Sequence, residues 1–283
     1  MNIMAPAKLN LTLDVLFRRE DGYHALQMVM QSVTLADVLT VERREGGGIC
    51  VETDLPYLPN NERNLAAVAA HAFQQATGQA LDGCAITVQK NIPVCAGLAG
   101  GSSDAAAVLR ALNTLTGAGL SPRRLAEIGQ DVGSDVPYCV LGGTVLAEGR
   151  GELLTPLPPL PKCHAVLCKP DFSISTPQLF SRLDCGKIRR RPDTAGLLAA
   201  LDAGDLPGVA RRMYNVFENV ITGRQGHEIM EIKNTLIHGG ALGASLSGTG
   251  PTVFGLFDQE AAARQAAALL RERYEETFLC ETV

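Results

Sequence analysis

The sequence lacks a CxxC pair, an apolar run long enough to cross a bilayer, a surplus of positive charge, and an internal repeat. Its eight cysteines (Cys50, Cys84, Cys95, Cys139, Cys163, Cys168, Cys185 and Cys280) are scattered, which argues against a disulfide framework and for reduced thiols. No apolar stretch approaches the roughly 18 to 20 residues that span a membrane. A strand-like pattern begins almost at Met1, in place of a targeting peptide. These features predict a soluble, cytoplasmic protein with no membrane partner. A formal net charge of -5 supplies none of the long-range attraction that nucleic-acid backbones require, so no nucleic-acid partner is expected. Phosphates on a substrate must then be met locally. With 283 residues, 46% hydrophobic and 19% charged, the chain can bury a full core and divide into two domains.

Two familiar phosphate signatures are missing as well. The pattern GxxxxGK fails because Ser102 stands where the second glycine belongs and no lysine follows it. The dinucleotide fingerprint GxGxxG fails because Ala99 occupies its second glycine position. What is present is PVCAGLAGGSSDAAAVLRALNTL, beginning at Pro93. It passes abruptly from small, backbone-exposing residues (Ala96, Gly97, Ala99, Gly100, Gly101) to an uninterrupted helix former. Ala105, Ala106, Ala107, Val108, Leu109, Ala111, Leu112 and Leu115 supply the helix, and Ser102 or Ser103 is expected to cap it. A helix start leaves several N–H groups unpaired and presents about half a positive charge, so it holds phosphate without a basic side chain.

From Ala7 to Val15 the residues alternate, with Leu9, Leu11, Leu13 and Val15 facing one way and Lys8, Asn10, Thr12 and Asp14 the other. This predicts a half-buried strand whose polar face sets Lys8 and Asn10 about 6 to 7 Å apart. Asp21-Gly22 marks a turn, and Tyr23-His24 after it pair an aromatic ring with an imidazole, able to stack on and hydrogen-bond a heterocycle. The glycines after Arg44 read as a hairpin connection between the apolar runs of 29–42 and a strand at Cys50-Val51-Glu52. Asn60 or Asn61 is expected to cap a helix from Leu65 to Thr77, with Asn64 in its first turn. Cys84, Ile86 and Val88 alternate in a strand that delivers Lys90 to the glycine loop.

Downstream, a helix from Arg123 to Gln130 precedes Asp135, which stands between a glycine turn and Pro137. Because proline forces Val136 towards extended geometry, a rigid loop holding one carboxylate is expected there. The proline cluster at 155–162 is the expected domain boundary. Beyond it come a strand at Ala165–Cys168, a helix starting at Thr176-Pro177 that carries Phe180, and a helix capped by Asp193. Helices around 206–220 and 226–238 lead to a second small-residue loop, GALGASLSGTGP, followed by a strand. A helix from Gln259 to Tyr274 and a strand from Thr277 close an α+β second domain. The basic run 187–191 reads as a solvated loop.

Three separated motifs, APAKLNLTLDVL, PVCAGLAGGSSDAAA and SLSGTGPTVF, occur in the order found in the GHMP kinase superfamily, and the chain resembles that superfamily over nearly its whole length. The resemblance implies an α+β, two-domain fold: a ribosomal-S5-like N-terminal domain (1–157) that binds nucleotide and an α+β C-terminal domain (158–283). It implies ATP and Mg²⁺ as cofactors. KLNL with DGYH after it and GSDVP downstream is similar to the branch that phosphorylates a hydroxyl of a small-molecule cytidine diphosphate substrate on the non-mevalonate route to isoprenoid precursors. Carried over residue by residue, the resemblance implies that Pro93, Val94, Cys95, Ala96, Gly97, Leu98, Ala99, Gly100, Gly101, Ser102 and Ser103 wrap the ATP phosphates, with Asn64 and Lys90 near the nucleoside. Tyr23 and Phe180 would sandwich the cytosine while His24 reads its edge, and Lys8, Asn10 and Asp135 would surround the reacting hydroxyl. One departure falls at Cys95 and Ala96, where some members carry glycine or other small residues; a negative φ accommodates alanine there. Homoserine or mevalonate-type kinases of the same superfamily need no cytosine clamp, so Tyr23, His24 and Phe180 discriminate. A non-catalytic nucleotide sensor would need neither Lys8 nor Asp135.

Overall fold

The alternation that begins the chain extends further than expected: β1 runs over Asn2–Arg18 and β2 over His24–Arg43. They form a long antiparallel hairpin whose turn is closed by Asp21, its Oδ1 accepting from the Tyr23 amide at 3.1 Å, with Gly22 at φ 83°. This computed structural model describes residues 1–81 and 83–283. They divide into two compact units that both draw on the hairpin. One comprises Met1–Ala7, Ala36–Ile92 and Ala99–Gly142, the other Lys8–Leu35, Pro93–Leu98 and Gly143–Val283.

In the first unit, β3 (Gly48–Thr53) pairs parallel with β4 (Gly83–Gln89), and β4 pairs antiparallel with β2, bringing Val41 opposite Ile86. The glycines before β3 therefore do not close a hairpin: β4 lies between β2 and β3. The unit's helices are α1 (Leu65–Thr77), α2 (Gly100–Thr116), α3 (Pro122–Gln130) and α4 (Val136–Leu141). Small residues let α1 and α2 approach closely, since a Cβ on Gly101 would lie 3.3 Å from Leu65 Cδ1. Residues 103 to 109 of α2 are buried without a break, so this helix is the centre of the unit's core.

The second unit adds β5 (Thr144–Gly149), antiparallel to β2, and β6 (Leu153–Pro156) beyond it. It continues with β7 (His164–Cys168), α5 (Thr176–Arg182), α6 (Thr194–Asp202) and α7 (Leu206–Arg212). Next, β8 (Tyr214–Asn215) pairs parallel with β1 at Thr12 and Leu13. After α8 (Gly223–His238) and β9 (Gly243–Leu246) come β10 (Val253–Phe257), α9 (Glu260–Arg271) and β11 (Thr277–Glu281). These give an antiparallel sheet in the order β11-β7-β10-β9. The apolar stripes Ile229, Ile232, Leu236 and Ala263, Ala266, Ala267, Leu270 keep α8 and α9 on the core.

Several expectations change. The proline cluster at 155–162 lies inside the second unit, because both units recruit separate chain segments and no single cut divides them. The helix expected over 206–220 stops at Arg212 and gives way to β8 and a 3-10 turn. The polar face of β1 is not solvated: Lys8, Asn10, Thr12 and Asp14 are between 0% and 5% exposed. Among the described residues no helix is long and apolar enough to cross a membrane, and each cysteine is a free thiol.

Candidate active site

A polar strand face that is fully buried needs partners. In the second unit Arg191, in the basic run expected to be solvated, donates to Asp14 Oδ1 at 2.6 Å, and Thr12 Oγ1 accepts the Val29 amide at 3.1 Å. The surroundings of Lys8 and Asn10 come from the other two motifs. The Lys8 amide donates to the Leu98 carbonyl at 3.1 Å. Its ammonium donates to Asn10 Oδ1 at 2.6 Å, and the same oxygen accepts the Gly248 amide at 2.9 Å. Ser247 Oγ donates to the Gly97 carbonyl at 3.0 Å. Glycine is required where these segments touch: at Gly97, a Cβ would lie 2.3 Å from the Ser247 carbonyl oxygen, and at Gly248 one would lie 2.9 Å from the Gly97 oxygen and 3.3 Å from Lys8 Nζ. The buried Asn215, which sequence reasoning passed over, donates to the Leu246 carbonyl at 2.9 Å and the Gly248 carbonyl at 2.7 Å, holding the third motif in place. Three stretches separated by up to 240 residues in sequence thus meet around one ammonium.

The second half of the glycine loop belongs to the first unit. Its helix starts at Gly100 with Ala99 as N-cap in the left-handed region at φ 58°, and no side chain caps it. Neither serine takes the expected capping role. Ser103 is fully buried and donates from Oγ to the Pro6 carbonyl at 2.7 Å, while Ser102 is only half-buried at the helix tip. An uncapped start leaves the first N–H groups to an anionic ligand. Ala96 avoids the left-handed region, as an alanine there should, whereas Cys95 stands in it at φ 55°; together with Ala99 it holds a conformation that costs a non-glycine residue about 1–2 kcal/mol.

The sequence predicts Asp135 in a loop, but it is the N-cap residue of α4, with Pro137 in the first turn of that helix. Proline is tolerated there because the first N–H groups of a helix have no intrahelical partner. The Asp135 carboxylate does not cap its own helix, and its turn abuts the tip of α2: a Cβ on Gly133 would lie 3.9 Å from Ser102 Oγ. Arg110 locks this arrangement, donating to the Cys139 carbonyl at 2.6 Å and the Met4 carbonyl at 3.2 Å.

Two residues expected beside the nucleoside are otherwise engaged. Asn64, rather than Asn60 or Asn61, caps α1: its Oδ1 accepts from the Ala66 amide at 3.0 Å and its Nδ2 donates to the Pro59 carbonyl at 2.9 Å. The Lys90 ammonium donates to Asp104 Oδ2 at 2.7 Å and to Asp37 Oδ2, all three side chains being buried.

The expected cytosine clamp lies in the second unit. The rings of His24 and Phe180 are 5.0 Å apart and tilted by 30°, and Phe180 meets the edge of Phe217 at 4.9 Å. Tyr23 is exposed, with the Arg150 guanidinium 5.0 Å above its ring. Burial, then the Arg18 charge, hold the His24 pKa below its ordinary 6.5. The ring is therefore neutral near pH 7, donating through one nitrogen and accepting through the other, as the edge of a pyrimidine base requires.

An uncapped glycine-rich helix start in the first unit and a buried ammonium in the second are each features that phosphoryl transfer uses. Residues 64–143 match the family described as GHMP kinases N terminal domain, and residues 197–276 match GHMP kinases C terminal. The protein is an ATP-dependent small-molecule kinase of that class. It is 43% identical to a 4-diphosphocytidyl-2-C-methyl-D-erythritol kinase of Clostridium perfringens, over 100% of this chain and 98% of the relative. Against one of Syntrophomonas wolfei the identity is 44%, over 98% and 96% of the two chains. A crystal structure of 4-(cytidine 5'-diphospho)-2C-methyl-D-erythritol kinase matches with a TM-score of 0.84 at 35% identity, covering 100% of this chain and 99% of that one. Homoserine kinase from Cytophaga hutchinsonii shares the fold at a TM-score of 0.77 and 20% identity, covering 100% and 94% of the respective chains. The chain belongs to the 4-diphosphocytidyl-2-C-methyl-D-erythritol kinase family.

Proposed function

We propose that this protein transfers the γ-phosphoryl group of ATP to a hydroxyl of 4-diphosphocytidyl-2-C-methyl-D-erythritol, a cytoplasmic step towards isoprenoid precursors. The observation that carries this reading is the meeting of Lys8, Gly97 and Gly248, which gathers all three motifs around one ammonium. Phosphoryl transfer through a loose transition state asks mainly for alignment and charge stabilisation. The amides of residues 97–103 receive the β and γ phosphates at the head of α2. Lys8 stabilises the charge developing on the attacking oxygen, with Asn10 holding the ammonium in position, and Asp135 orients the hydroxyl and accepts its proton. Tyr23 and Phe180 stack on the cytosine and the neutral His24 reads its edge.

Mg²⁺ in this role travels with the nucleotide. Among the described residues no group of three or more His, Cys, Asp or Glu side chains gathers that could hold a metal ion. Ser102 Oγ is the hydroxyl left at the helix tip for it, since Ser103 Oγ is bonded to Pro6. When bound, Mg²⁺ supplies neutralisation of the β and γ phosphates.

An ADP-release assay offering the cytidylylated methylerythritol, homoserine and mevalonate in parallel tests the reading. Turnover of the cytidine substrate at least about a hundredfold above the others is expected from a clamp built for its base. Equal turnover of homoserine or mevalonate would overturn it.

A further inference from the structure

The loop 93–99 departs from the chain just after Ile92 and ends where α2 begins. Both of its ends are tied to one buried cluster that the proposed chemistry does not use. Asp37, on β2, is fully buried. Its Oδ1 accepts the amides of Asn91 at 2.6 Å and Ile92 at 2.8 Å, fixing the point of departure. Its Oδ2 accepts the Lys90 ammonium, which also donates to Asp104 Oδ2 at 2.7 Å, within the first turns of α2. The ammonium lies directly below the head of the helix, for a Cβ on Gly100 would be 3.3 Å from Lys90 Nζ and 3.2 Å from Ile92 Cγ2. Gly100 has no positive φ, so close approach of this lysine is what glycine provides at that position.

We infer that Asp37, Lys90 and Asp104 are positioning residues that clamp the two ends of the phosphate loop together, and that Lys90 acts on the nucleotide through this clamp without contacting it. This rests on the kinase reading above. Asp104 Oδ1 is enclosed with no hydrogen-bond partner among the described residues, so the Lys90 ammonium is the donor that holds this side chain at the helix head. The Lys90 side chain is 5% exposed, so it presents no cationic surface to a nucleoside.

Calorimetric titration of the full chain with Mg-ATP and, separately, with adenosine tests the inference on Asp104→Ala, Asp104→Asn, Lys90→Met and the Lys90→Met/Asp104→Ala pair. Asp104→Ala and Lys90→Met are each expected to bind ATP about tenfold more weakly, the order of one charge-assisted hydrogen bond. Asp104→Asn, whose amide oxygen still accepts from Lys90, should stay within about threefold of the parent. The double variant should be no weaker than Lys90→Met alone, because both remove one interaction. Adenosine affinity should be unchanged throughout, which a general loss of structure would not allow. If adenosine weakens in step with ATP in Lys90→Met, or if Asp104→Ala binds ATP like the parent, the clamp is refuted. A parent that binds no ATP refutes the kinase reading itself. If Lys90→Met proves insoluble, the contrast between Asp104→Ala and Asp104→Asn decides.

Discussion

Replacing Gly97 with alanine puts a methyl carbon 2.3 Å from the Ser247 carbonyl oxygen and 3.1 Å from that of Gly250. Carbon and oxygen settle at about 3.3–3.6 Å, so one segment must retreat by roughly 1 Å. The backbone at φ 76° adds a penalty of about 1–2 kcal/mol for any residue with a Cβ. The displaced segment carries Gly248, whose amide bonds the same Asn10 oxygen that holds Lys8. A misplacement of about 1 Å at reacting groups costs on the order of 100-fold in rate, so kcat should fall by about that factor. Stability should drop by about 2–4 kcal/mol, or roughly 5–10 °C in Tm. Gly204→Ala is the control: its φ is 64°, but nothing lies within 4 Å of the added carbon. It should lose about 1–2 kcal/mol of stability and no activity. Steady-state kinetics and thermal melts on the two variants are sufficient. A Gly97→Ala enzyme with kcat within threefold of the parent would refute the argument that this glycine keeps the three motifs in register.

Asp135→Asn should lose about 10²–10⁴-fold in kcat while binding both substrates, and near-normal turnover would remove Asp135 from the mechanism. Tyr23→Ala should raise KM for the cytidine substrate about threefold to tenfold through lost stacking. An effect confined to ATP would misassign that pocket. For His24, the folded pKa lies below the unfolded value, so the folded chain binds fewer protons there. Its contribution to stability is complete above about pH 6.5 and is lost as pH falls through that value towards the folded pKa. KM for the cytidine substrate should therefore stay constant from pH 8 to about 6.5 and rise only below, and His24→Gln should abolish the rise. A rise already present between pH 8 and 7 would contradict a neutral His24.

The periodicities of β1, α1 and α2 were legible because apolar spacing and small residues report directly on burial. What the alternation in β1 could not reveal is that its polar side is also buried, since two of its partners, Arg191 and Gly248, lie far away in sequence. The helix at Pro137 is hidden in the sequence because proline favours extended geometry before it yet is also tolerated in a helix's first turn. The serines of the loop suit a cap by residue type, but only tertiary structure shows that Ser103 turns to Pro6. Asp37 and Asp104 carry a signal in the sequence itself: each is a lone acid inside an apolar strand or beside an alanine run, a placement that demands a buried partner. The mixed assignment of chain segments to the two units follows from β1 and β2 running through both, which no composition shift records.

The product expected of this chain is a phosphate monoester on the methylerythritol portion of its substrate. Phosphorus NMR of a reaction containing Mg-ATP and 4-diphosphocytidyl-2-C-methyl-D-erythritol tests it most directly. One new phosphomonoester resonance should grow in step with ADP while the cytidine diphosphate resonances persist. ADP formed without that monoester, or loss of the cytidine diphosphate signals, would contradict the account.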